Sequence, residues 1–380
     1  MKRIVIIGAN EFQNPLILKA KEMGYETHVF AWQAGAIGER TADFFYPISI
    51  IEKDRILEEC KKLKPEAIVT IASDLATITV NYIARKLGLV CNSERNVRVS
   101  TNKYEMRKAF QAAGVATPDF CEVGPGDDLN RIKRMRLPII IKPTDRSGSR
   151  GITKVEHVEE IEAAVKTSIE YSFEKKAIAE EYLEGNEYSC ECISFQGEHH
   201  FLTITKKFTT GAPHFIETGH LEPSDLDDNT QEKVKEQVFR ALDALDIRYG
   251  ASHSEFKVDS EGNVHIIEIG ARMGGDCIGS DLVQISTGFD FLKMTIQVAS
   301  GIAPDMKQVT EPKTAVIKFV FSQEDMDNLS MLKKKYPEKI YFVSDMKIEG
   351  YHEIVDSASR YGFYILACDS KDEAMRLTNL

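Results

Sequence analysis

The sequence is short of positive charge. Its 380 residues carry 48 lysines and arginines against 59 aspartates and glutamates, a formal net charge of -11. Such a chain offers no general surface to a polyanion, because nucleic-acid affinity rests on clustered basic residues. Long apolar runs are missing as well. The opening MKRIVIIGAN breaks at Gly8-Ala9-Asn10, far short of a secretory signal or a membrane span, so a cytoplasmic protein without a membrane partner is expected. Seven cysteines, at 60, 91, 121, 190, 192, 277 and 368, show no CxxC spacing, which points to reduced thiols. Cys190 and Cys192 flank Glu191 in an alternating run and share one strand face, where core packing is expected rather than metal binding. Internal repeats, low-complexity tracts and long linkers are absent too.

What is present is the composition of a folded protein, 43% hydrophobic and 28% charged, at a length that points to two or three domains. Strand patterns at 4–7, 27–31 and 67–71 alternate with helical ones at 15–23, 53–63 and 76–87, as in an open parallel α/β domain over residues 1–98. A helix at 103–113 opens a second unit. Strands at 138–142 and 177–182 around a helix at 158–172 mark a small lobe of about 115–185. Strand-rich sequence then closes with helices at 230–245 and 291–300, giving a central domain over 99–305. Residues 306–380, with a strand at 314–321, read as a small C-terminal α+β module.

Four stretches carry chemistry. A hairpin centred between Glu261 and Gly262 pairs Glu255 with Glu268 on one sheet face. Opposed carboxylates need a cation or a proton between them, and Mg2+ commonly takes one or two carboxylates plus substrate phosphates. An exposed polar face that also carries Lys257 is the alternative. In the second stretch, Lys142 leads into Ser147, Gly148, Ser149 and Gly151, whose backbone N–H groups can converge on a phosphate. A flexible hairpin tip fits the same residues, and the spacing is not that of a GxxxxGK[ST] loop. Third, backbone near Glu181 and Leu183 could meet a purine edge, with Glu187 accepting from ribose hydroxyls. Fourth, Arg272 follows Glu268 closely, beside Gly274 and Gly275, and would bring a guanidinium to a metal-bound phosphate unless it is an ordinary surface arginine.

In order and separation these stretches resemble the ATP-grasp superfamily over residues 1 to about 300. The likeness is to the branch of carboxylate–amine ligases, L-amino-acid ligases among them, and the carbamoyl phosphate synthase large subunit. It implies a parallel α/β domain before two α+β lobes that clasp ATP. By the same resemblance Lys103 and Lys142 hold phosphates, and 147–151 is the loop that closes over them. Glu180, Glu181 and Leu183 form the adenine hinge, and Glu187 binds ribose. Glu255 and Glu268 take Mg2+, or Mn2+, while Arg272 stabilises the transferred phosphoryl group. Many members carry Asn where this chain has Gly270, which leaves the number of ions open. His214, Glu217 and His220 resemble acceptor-pocket residues, with structural roles as the alternative. Lys206 or its neighbour Lys207 reaches phosphate or faces solvent.

Asn10 and Asp74, each at a helix start, are substrate contacts or simple caps. The implied activity joins a small carboxylate to an amine through an acyl phosphate, with bicarbonate activation as the rival. Homodimers are common among such proteins. A dinucleotide-binding reading fails on Gly8-Ala9-Asn10-Glu11-Phe12, which is not GxGxxG.

Overall fold

A computed structural model describes residues 2–148, 150–211, 215–346, 354 and 356–380. Three sheets organise them. The first is parallel throughout: β1 (Lys2–Ile7), β2 (Tyr25–Phe30), β3 (Phe44–Tyr46) and β4 (Ala67–Val69) lie in the order β3-β2-β1-β4. Ile4, Val5, Ile6 and Ile7 are all fully buried, as a run covered by helices on both faces must be. The helix Asp74–Leu87 opens where Ser73 Oγ accepts from the Ala76 N–H and stops at Gly88 in the left-handed region, which points its N-terminus at the sheet's carboxyl edge.

The second sheet is antiparallel: β5 (Phe120–Val123), β6 (Ile139–Pro143), β7 (Thr153–Val155) and β8 (Ala177–Glu181) run in the order β5-β8-β6-β7. The helix Ile161–Tyr171 buries Ile161, Ala164 and Val165 against it. The third sheet has eight strands: β9 (Asn186–Phe195), β10 (Glu198–Thr209), β11 (Glu217–Glu222), β12 (Gly250–Val258), β13 (Val264–Gly270), β14 (Thr314–Val320), β15 (Ile340–Val343) and β16 (Gly362–Cys368). Their order is β13-β12-β9-β10-β11-β14-β16-β15. Residues 306–380, expected as a small C-terminal α+β module, contribute β14, β15 and β16 to this sheet, where β14 pairs directly with β11. The first sheet is also anchored to the third: Ile4, Ile6 and Val29 share one core with Ile193, Ala251 and Met294. All seven cysteines are free, and Cys190 and Cys192 are fully buried. Among the described residues no helix is long and apolar enough to cross a membrane.

One buried group makes the fold pH-sensitive. Glu222, fully buried at the end of β11, lies 2.5 Å from the Thr205 hydroxyl and 2.7 Å from that of Ser286. Burial pushes its carboxyl up to about 8, more than the two hydroxyls lower it. The folded state therefore holds a proton that the unfolded chain releases near its ordinary value, so this contribution is complete below that value and is lost as pH rises toward 8. Glu222→Gln is expected to remove the dependence, gaining on the order of 3 kcal/mol over wild type between about pH 5 and 8 in urea titrations. An equal difference between the two proteins at both pH values would refute this.

Candidate active site

The site is built on one face of the third sheet. Side chains alternate along a strand, and register aligns Lys257 on β12 with Glu187 on β9, and Lys207 on β10 with His220 on β11. Lys207 Nζ closes the row, 3.2 Å from Glu187 and 2.7 Å from Glu255. The same alternation sends Lys206 to the opposite face, where it pairs with Asp225. The expectation of Lys206 in the site is therefore corrected to Lys207. Burial alone would lower the Lys207 ammonium, but Glu255, Glu187 and Glu217 around it hold its pKa well above the usual range.

Glu255 and Glu268 stand directly opposite each other on β12 and β13. The pairing expected from the sequence is reached by a different route: the strands run 256↔266, 257↔265 and 258↔264, and an irregularity between Glu255 and Phe256 restores 255↔268. A bulge of this kind inserts one extra residue, here Ile267. Lys103, first residue of the helix Lys103–Ala112, lies 2.9 Å from Glu268 and donates to the Arg146 carbonyl at 2.8 Å. Each carboxylate is thus matched by an ammonium, buried for Lys207 and partly buried for Lys103. Among the described residues no three acidic, His or Cys side chains group as a self-sufficient metal cage. Two opposed carboxylates with open coordination suit Mg2+, which completes its shell with water and phosphate oxygens.

Behind Glu255 stands a pair that sequence reading missed. His253 Nε2 lies 3.3 Å from Glu255, and its Nδ1 is hydrogen-bonded to the fully buried Glu191, whose other oxygen accepts the Gly274 N–H at 3.0 Å. Burial lowers the imidazole, yet Glu191 and Glu255 overcome it and raise its pKa to about 9. A Cβ at Gly274 would sit 2.8 Å from His253 Nδ1 and 2.9 Å from Glu191, so only glycine fits there. His253 and Glu255 are two residues apart on one strand, which was the available signal.

Arg272 forks onto Asp74 with contacts of 2.8 and 3.1 Å. Burial opposes both charges, but each holds the other ionised: Arg272 is shifted up and Asp74 down. Asp74 thereby serves the arginine, where a direct substrate contact or a cap was expected. Gly270 now has a physical reason, since a Cβ there would fall 2.9 Å from Asp74 Oδ1 and 3.1 Å from Arg272 Cζ. The position that carries Asn in many ATP-grasp proteins is here cleared for the ion pair.

In the small lobe, Lys142 Nζ lies 2.9 Å from Glu180, which also accepts from Arg107 Nε at 2.7 Å. Glu180 had been assigned to the adenine hinge, but its side chain is spent on these two cations, which hold it at about 2 against the cost of burial. The hinge backbone is partly committed as well: the N–H groups of Glu181 and Tyr182 bond to Asp119 and Pro138 carbonyls, and the Leu183 carbonyl accepts from Lys257 at 3.0 Å. Ser147 and Gly148 line the cleft. Gly151 bonds through its carbonyl to Ser168, while Ser149 and His214 lie outside the described residues.

A cleft of about 490 Å3 gathers Lys103, Lys142, Leu183, Glu187, Glu255, Glu268 and Arg272. At its far end Glu217 and His220 meet Asp276 and Arg360, which are bridged at 2.8 and 2.9 Å. His220 Nδ1 is buried without a hydrogen-bond partner among the described residues, and burial lowers its pKa. Asn10 also lines the cleft, but its Oδ1 accepts the N–H groups of Phe12 and Gln13, a capping role.

The family model for the ATP-grasp domain matches residues 135–281. Alanine–anticapsin ligase of Bacillus subtilis is 30% identical over 268 residues, covering 62% of this chain and 56% of the relative. The chain thus spans a little over half the length of that relative. L-amino acid ligase from Bacillus licheniformis has the same fold, with a TM-score of 0.84 at 23% identity over 100% of this chain and 96% of the other. The biotin carboxylase domain of Hydrogenobacter thermophilus 2-oxoglutarate carboxylase, in complex with ADP, magnesium and bicarbonate, gives 0.77 at 19% identity over 99% and 88%. Residues 135–281 thus match the ATP-grasp domain, and over its whole length the chain has the fold of these structures.

Proposed function

We propose that the protein is a carboxylate–amine ligase that spends Mg-ATP to form an amide. The observation that carries the reading is the meeting of Glu255, Glu268, Lys103, Lys142, Lys207 and Arg272 in one cleft: two carboxylates for a divalent ion, with four cations for a triphosphate and the charge that develops on it. Adenine would rest on the hinge 181–183, ribose on Glu187, and phosphates on Lys103 and Lys142. Bound between Glu255 and Glu268, Mg2+ would supply charge neutralisation to the phosphate oxygens. Arg272, held by Asp74, faces the γ-phosphoryl group as a carboxylate oxygen attacks phosphorus and the bond to ADP breaks. The amine nitrogen then attacks the acyl carbon, phosphate departs with the carbon–oxygen electron pair, and the amine gives up a proton. Closure of the loop at 147–151 would keep water from the acyl phosphate.

The deciding experiment measures ADP and phosphate release with Mg-ATP against a panel of amino acids, small acids and amines, with products weighed by mass spectrometry. Release that requires both an acid and an amine and yields their amide is the expected result. Release driven by bicarbonate alone would replace this reading with carboxyphosphate formation, and failure to bind nucleotide with Mg2+ would end it.

A further inference from the structure

A second cavity, of about 820 Å3, opens on the same catalytic groups from the other side. It shares Lys103, Glu268 and Arg272 with the first cleft but reaches away from the hinge, between the first domain and the small lobe. Four large apolar groups line it, Trp32 71% exposed, Ile51 62%, Leu75 36% and Phe173 62%, the last beneath the Arg146 guanidinium, which lies 4.3 Å from its ring centre. Exposed large apolar groups that converge on one concavity mark a binding surface, whereas scattered ones need no explanation. Apart from Asn10 and Gln13, the wall from the first domain contributes small or apolar side chains and Asp74. Its single charge, Asp74, is committed to Arg272.

We infer that this cavity binds the acid to be activated, and that the acid carries an apolar body of branched-aliphatic or aromatic size, seated against Trp32, Ile51, Leu75 and Phe173 with its carboxylate at Arg272. The inference rests on the ligase reading and adds the substrate class to it. Burying a methylene favours binding about fourfold, so a 4-methylpentanoate or hydrocinnamate chain gains at least tenfold over acetate. Discrimination resides mainly in the first domain, on the ends of the loops that follow β2 and β3 and on the first turn of the helix Asp74–Leu87, with Phe173 added from the small lobe.

Trp32 is the sole tryptophan and stands on the rim, so its fluorescence reads occupancy without turnover. With Mg-ADP present, 4-methylpentanoate and hydrocinnamate are expected to give a saturable blue shift, and acetate and bicarbonate none in the same range. Leu75→Asp and, separately, Ile51→Asp should each weaken the apolar acids tenfold or more and leave ADP affinity unchanged. Both side chains are partly solvated, and an aspartate in a helix's first turn is favourable, so folding is not at stake. Equal responses to acetate and hydrocinnamate, or no response to apolar acids while Mg-ADP binds, would overturn the substrate class and leave the ligase reading standing. Absence of Mg-ADP binding would instead overturn both.

Discussion

Arg272→Ala is expected to slow ATP-dependent turnover by roughly 10³-fold, with nucleotide affinity changed only a few-fold. The guanidinium is partly buried, fixed by two hydrogen bonds to Asp74, and shares the cleft with Glu255 and Glu268. A preorganised charge costs no reorganisation when the phosphoryl group moves, so its loss falls on the rate and not on ground-state binding. Arg272→Lys keeps the charge but cannot fork onto Asp74, and should recover only part of the rate. Asp74→Asn leaves the arginine present but loosely held, and belongs between wild type and Arg272→Ala. Steady-state kinetics together with ADP affinity by calorimetry separate the two effects. Wild-type turnover in Arg272→Ala would remove the arginine from the mechanism.

Glu180→Ala should cost about 3–5 kcal/mol of stability. Glu180 is 4% exposed and sits between Arg107, 1% exposed, and Lys142, 5% exposed. Arg107 also donates to the Ile266 carbonyl at 2.7 Å, so it cannot swing to water. Removing the carboxylate leaves two desolvated cations without a counter-charge, which is far worse than never having built the pair. Because the folded state depresses the Glu180 carboxyl to about 2, the stabilisation is present above the ordinary glutamate value and fades as pH falls toward 2. Urea denaturation of wild type, Glu180→Gln and Glu180→Ala at neutral pH is expected to rank them in that order. A loss below about 1 kcal/mol in the alanine variant would show that Lys142 or Arg107 finds another partner.

Much of this was legible in the residues. The parallel first sheet follows from apolar runs broken at helical intervals, and the lobes follow from period and turn chemistry, all of which are local. The pairing of Glu255 with Glu268 was legible for a partly fortuitous reason. The turn is centred one half-residue from the expected place, and the bulge at Ile267 shifts the register back by the same amount. Parity along a strand cannot be read where partners are unknown, and so Lys206 and Lys207 were interchangeable in the sequence, although only Lys207 shares a face with His220.

The sequence by itself determined the main elements and their order, though not β3 or the helix Glu94–Thr101, and the chemical types brought to the site: two opposed carboxylates, lysines beside small-residue turns, and an arginine after the second glutamate. Only the tertiary structure decided which charge answers which. Arg107 meets Glu180 across 73 residues and Arg272 meets Asp74 across 198, and Glu191 reaches His253 from a neighbouring strand. Such pairs form because burial makes an unmatched charge too costly to keep, and burial is a property of the assembled lobes that no local pattern records.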